Sequence, residues 1–165
     1  MLEVILIALQ VFSRVGTERY ITMYQTPDYI VVRTMRGSVV ALFYGTDSFR
    51  EWLGNFQFLK RTKDDFHKDW HDGAIEAYTT FSSLGYEINY VVGYSRGAAI
   101  ALIYSYYFNT QAIAISAPKI SKKLKFWKVP PLLISTLNDP VNWVPPGFHR
   151  PGSYTQITST AGSHL

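Results

Sequence analysis

The chain has 165 residues, enough for one compact core, and 47% of them are hydrophobic against 17% charged. That balance excludes intrinsic disorder, and a net charge of +4 is too mild to indicate nucleic acid by itself. With no cysteine, disulfides and thiolate–metal sites are excluded, and the expected setting is reducing and cytoplasmic.

Residues 4–12 are apolar apart from Gln10. The run is shorter than the roughly 20 residues a membrane helix needs. Glu3 before it and Ser13-Arg14-Val15 after it do not match the flanks of a secretory leader. Residues 2–14 are therefore read as a helix packed on the domain. Residues 29–33 and 38–44 are β-branched and apolar, with Arg36-Gly37 between them, which reads as two strands joined by a tight turn. In residues 48–58, Phe49, Trp52, Leu53 and Phe56 fall on one helical face. Residues 60–72 are polar and charged and read as loop, and 73–84 regain helical spacing through Ile75, Tyr78 and Phe81.

The next stretch decides the class. Residues 88–92 read as a strand, 96–108 as a helix, 111–116 and 132–137 as strands, and 154–158 as a last strand. Strand–helix–strand units of this spacing are crossovers, and crossovers build parallel sheets. The expected architecture is an α/β fold, a mostly parallel central sheet flanked by helices, in a single domain over residues 1–165. In such sheets the site lies on loops beyond the carboxyl ends of the strands.

Gly93-Tyr94-Ser95-Arg96-Gly97 stands at one such point, between a strand and a helix. The bare G-x-S-x-G pattern is weak, but its context is the one nucleophilic catalysis needs. A sharp turn lifts the hydroxyl clear of the sheet, glycines allow the backbones to crowd, and the helix amino end faces developing negative charge. A serine hydroxyl also needs a base, and the base an orienting acid; where the nucleophile turn joins a strand to a helix as in α/β hydrolases, the chain order is Ser, Asp or Glu, His. After Ser95 the sequence holds one carboxylate side chain, Asp139, just beyond the strand at 132–137. Two histidines follow it. His164 comes after the strand at 154–158 and fits a base on a loop beyond a strand; His149, after Pro145-Pro146-Gly147-Phe148, is the alternative.

These residues resemble the class 3 lipases, from about Ser38 onward. Phe43-Tyr44-Gly45-Thr46-Asp47-Ser48, leading into Glu51-Trp52-Leu53-Gly54-Asn55-Phe56, is similar to that family's core strand end and following helix. His71-Asp72-Gly73-Ala74 resembles its His-x-Gly segment, Gly93 to Gly97 its nucleophile turn, and Asn138-Asp139 before Pro145-Pro146 its acid. Phe148-His149-Arg150-Pro151-Gly152 matches a non-catalytic histidine of the family, which leaves His164 as the base. The resemblance implies an oxyanion hole from the backbone N–H groups of Thr46 and Arg96. It makes residues 48–58 a lid helix, with Trp52 and Phe56, together with Tyr94, facing substrate. Tyr94 and Arg96 stand where the family usually has His and Leu. The Arg96 side chain is expected to pair with Asp47 or with an anionic headgroup.

The expected function is therefore hydrolysis of lipid esters through an acyl-serine intermediate, with no metal or organic cofactor. Transient contact with a lipid surface is expected, and nucleic acid and a transmembrane segment are not. Other uses of the same scaffold are a phospholipase, an esterase for small esters, or a catalytically degenerate lipid-binding or structural protein. Two further signals are discounted. His67 and His71, with Asp64, Asp65, Asp69 and Asp72 around them, read as a charged loop rather than a metal site. Lys119, Lys122, Lys123, Lys125 and Lys128 around Phe126 and Trp127 read as a solvated loop, with contact to an anionic membrane or to single-stranded nucleic acid as other uses.

Overall fold

The computed structural model describes residues 1–12, 20–45, 66–136 and 148–159. Among them run α1 (Leu2–Phe12), β1 (Tyr20–Gln25), β2 (Tyr29–Thr34), β3 (Val39–Phe43), α2 (Lys68–Ser83), β4 (Tyr90–Tyr94), α3 (Arg96–Phe108), β5 (Gln111–Ile115), β6 (Leu132–Thr136) and β7 (Thr155–Ser159). The seven strands form one sheet in sequence order. β1, β2 and β3 pair antiparallel, and every pairing from β3 to β7 is parallel. This is the expected α/β architecture.

Alternation along the strands sorts side chains to two faces. Val31, Ala41, Phe43, Val91, Ala112 and Ala114 join the core built by α2 and α3. Ile30, Val32, Val40, Leu42, Val92 and Ile113 join the core covered by α1. α1 buries Val4, Ile7, Ala8 and Val11, a stripe spaced three or four residues apart, and each of its larger members contributes about 2 kcal/mol of burial. The apolar N-terminal run is thus a packed helix, as its length and flanks suggest. Among the described residues no helix is long and apolar enough to cross a membrane.

Two elements depart from the sequence reading. The pattern assigns no strand to residues 20–25, yet β1 pairs with β2 there as an edge strand with a register shift between Thr22 and Tyr24. Its Ile21 side faces solvent, so no apolar alternation marks it. The pattern also assigns residues 68–72 to a loop, whereas α2 begins at Lys68. Trp70, Ala74, Ala77 and Phe81 form its buried stripe, and Lys68, Asp69 and Asp72 mask its first turn because they face outward. Lys68 Nζ and Asp72 Oδ2 pair across that turn at 2.5 Å, which lowers the Asp72 pKa. The expected helix at residues 48–58 lies outside the described residues.

Candidate functional site

At the centre of the sheet, β4 runs into Ser95 and then α3. Ser95 has φ 56° and ψ −115°, a conformation that a residue with a Cβ rarely adopts. Its N–H still donates to the Ile115 carbonyl at 2.9 Å, which extends the β4–β5 ladder one residue past the strand. Its carbonyl accepts from Ala98 and Ala99 N–H at 3.0 and 3.3 Å and starts α3. The chain must reverse within one residue to do both, and the positive φ is the consequence. Ser95 is the N-cap of α3, but its hydroxyl makes no capping bond. It is 4% exposed. The same device recurs one strand along, where Ser116, with φ 52°, follows β5 and donates its N–H to Ile134 at 2.7 Å.

The turn is too crowded for side chains at its flanks. A Cβ on Gly93 would overlap the Gly97 carbonyl, and one on Gly97 would overlap the Phe43 carbonyl. A third glycine completes the packing. A Cβ on Gly45 would lie 2.5 Å from the Tyr94 carbonyl oxygen and 3.1 Å from Cβ of Ser95. The segment just beyond β3 therefore lies directly against the serine because Gly45 has no side chain. This proximity follows from the parallel β3–β4 register, in which Phe43 stands opposite Gly93.

Arg96, the first residue of α3, sends its guanidinium to α2. Its Nη2 lies 2.9 Å and its Nε 3.0 Å from Oδ2 of Asp69. The described partner of Arg96 is thus Asp69, on a turn of helix that the sequence reading took for loop; Asp47 lies outside the described residues. The pair borders an open cleft lined by Asp28, Tyr29, Phe43, Asp72 and Glu76 among others. Tyr94 turns its ring to the α1 side, 6.1 Å from Phe12, and Tyr44 meets Phe12 edge-on at 6.5 Å.

His67, just before α2, is a residue whose setting the sequence does not disclose. It is 3% exposed and stacked on Trp70 at 3.8 Å, and its Nδ1 has no hydrogen-bond partner among the described residues. Burial pushes its pKa down to about 4, Asp69 opposing and Arg96 reinforcing that shift, so the ring is neutral near pH 7. His71 lies on α2, beside Asp72 and edge-on to Tyr107. Among the described residues no group of three His, Cys, Asp or Glu side chains could hold a metal ion. His149 is exposed, and its backbone exchanges hydrogen bonds with Ser121. Of the sequence-assigned site residues, Ser95, Arg96 and Tyr94 are described, with the Tyr94 ring on the α1 side and the Arg96 side chain on the α2 side of the turn, whereas Thr46, Trp52, Phe56, Asp139 and His164 lie outside the described residues.

A hydroxyl on a strained turn, above the amino end of a helix and at the carboxyl edge of a parallel sheet, is placed where an anion would be stabilised by backbone N–H groups. Known structures of similar shape include fungal lipases. The Rhizomucor miehei lipase propeptide complex matches with a TM-score of 0.60 at 18% identity, over 86% of this chain and 57% of that one. A fungal lipase–inhibitor complex described as a model for interfacial activation matches with 0.60 at 17%, over 81% and 65%. A triacylglycerol lipase from Penicillium expansum matches with 0.59 at 13%, over 93% and 77%. The chain thus spans little more than half the length of the Rhizomucor lipase chain. No family model and no curated protein matches the sequence. At such identities the likeness is one of shape, and it shows that this chain has the fold of the class 3, fungal-type lipases.

Proposed function

We propose that the chain is a serine hydrolase of lipid esters, with Ser95 as nucleophile, Asp139 as acid and His164 as base. The observation that carries this reading is the backbone of Ser95. A positive φ in a serine costs about 1–3 kcal/mol, and Ser116 bears the same cost, but Ser95 bears it between two glycines that admit no Cβ, at the amino end of α3 and against Gly45. Here the strained position keeps a hydroxyl that caps nothing.

In the proposed reaction, His164 accepts the Ser95 proton as Oγ bonds to the ester carbonyl carbon, and the carbonyl π electrons move to its oxygen. Asp139 orients and stabilises the imidazolium. The backbone N–H groups of Arg96 and Thr46 hold the oxyanion, an interaction worth about 3 kcal/mol per donor. Collapse breaks the ester C–O bond, and the imidazolium gives its proton to the departing alcohol. Water, deprotonated by His164, then attacks the acyl-serine; the acid leaves and Oγ regains its proton. Gly45 supports the oxyanion role of the next residue, because its lack of a Cβ brings that segment against Ser95.

Turnover of nitrophenyl esters of increasing acyl length tests the reading. Ser95→Ala is expected to lose activity about a thousandfold or more. His164→Ala should fall comparably and His149→Ala should not. Preference for long acyl groups and a rise at a lipid interface favour lipid esters over small soluble ones. Full activity in His164→Ala with loss in His149→Ala would reverse the assignment of the base.

A further inference from the structure

We propose that the segment between β5 and β6 is a preformed docking surface for anionic lipid bilayers. It presents Leu124 and Phe126 to the hydrocarbon boundary and Lys122, Lys123 and Lys128 to the headgroups. Leu124 and Phe126 are 57% and 65% exposed, and the three lysines are exposed around them. The sequence has no carboxylate side chain anywhere from residue 97 to residue 138, so the charged side chains that this stretch itself contributes are all basic. Outward apolar side chains ringed by cations match a surface that is apolar beneath and negative above.

The segment is anchored. Trp127 is buried and its Nε1–H donates to the Leu102 carbonyl of α3 at 2.7 Å. Ile120 is fully buried, and its N–H donates to His149 at 3.0 Å. The Lys125 carbonyl accepts from Gly152 N–H at 2.6 Å, and the Lys125 ammonium lies over the rings of Phe66 and Tyr106. Inward anchors thus alternate with outward Leu124 and Phe126, and little ordering cost remains on docking. Single-stranded nucleic acid fits the patch less well. It needs successive aromatic platforms, and here one ring is outward, its neighbour Trp127 is buried, and Leu124 offers no stacking face.

Co-sedimentation of the full chain with vesicles tests this directly. Binding to equimolar phosphatidylserine and phosphatidylcholine is expected, with much weaker binding to phosphatidylcholine alone and a fall as salt rises. Lys122→Gln, Lys123→Gln and Lys128→Gln together should weaken it about a hundredfold, on the order of fivefold per lysine. Leu124→Ser with Phe126→Ser should weaken it about tenfold or more. Both variants change exposed positions and should keep the wild-type melting temperature, and Ser95→Ala should bind vesicles as the wild type does, so docking is tested apart from catalysis. Equal binding to both vesicle types, wild-type binding by the lysine variant, or displacement from vesicles by oligothymidylate would overturn the proposal.

Discussion

Asp69 and Arg96 form an ion pair, Oδ2 to Nη2 at 2.9 Å, that joins the first turn of α2 to the first turn of α3 one residue beyond Ser95. Both side chains are partly exposed, so the pair itself contributes less than about 1 kcal/mol to stability. In the proposed reaction the pair also holds the first turn of α3, whose first N–H belongs to Arg96. Asp69→Asn is expected to lower the melting temperature slightly and to reduce kcat several-fold with KM little changed. A double-mutant cycle with Arg96→Met, read by denaturant unfolding, should give a coupling of about 0.5 kcal/mol.

Ser95→Gly and Ser95→Ala should separate strain from chemistry. Both remove the hydroxyl and should be inactive. Glycine tolerates φ 56° and alanine does not, so Ser95→Gly is expected to be more stable than Ser95→Ala by about 1 kcal/mol. Thermal unfolding of the two side by side measures this.

Gly45→Ala and Gly37→Ala should differ in kind. At Gly45 the added methyl meets the Tyr94 carbonyl and Cβ of Ser95, so a cost of about 2 kcal/mol or more is expected, together with loss of esterase activity. At Gly37 it meets nothing within 4 Å, and only the φ of +87° is unfavourable. That variant should lose about 1 kcal/mol and remain active. Denaturant unfolding and ester turnover of both variants check the distinction.

His67 should make stability fall in acid. The unfolded chain takes up a proton near the ordinary histidine value of 6.5, whereas burial delays uptake in the folded chain to about 4. Between those values the unfolded state binds more protons, so stability present above pH 6.5 is lost as the pH falls toward 4, by about 3 kcal/mol in all. Denaturant unfolding across this range should show the loss, and His67→Phe should flatten that part of the profile.

Much of this organisation is legible in the sequence. α3 spans the residues its pattern indicates, and the G-x-S-x-G turn sits between strand and helix because the glycines and the apolar β4 can do little else. The hairpin of β2 and β3 follows from β-branched runs around Arg36-Gly37. Other features were hidden for identifiable reasons. β1 is an edge strand, half in solvent, and carries no alternation. The first turn of α2 is polar on its outer side, which conceals Trp70 as the start of a stripe continued by Ala74, Ala77 and Phe81; spacing those four residues together would have revealed it, and with it Asp69. The burial of His67 depends on Trp70 stacking on it, a contact set by the path of the chain rather than by local pattern. The approach of Gly45 to Ser95 depends on strand register, which only the assembled sheet fixes.

The most direct measurement is reaction of the full chain with a fluorophosphonate, followed by mapping of the modified peptide by mass spectrometry. A single adduct on Ser95, absent from Ser95→Ala and slow to form in His164→Ala, is the expected result. An unreactive wild-type chain, or an adduct on another serine that persists in Ser95→Ala, would contradict the assignment of this hydroxyl as the nucleophile.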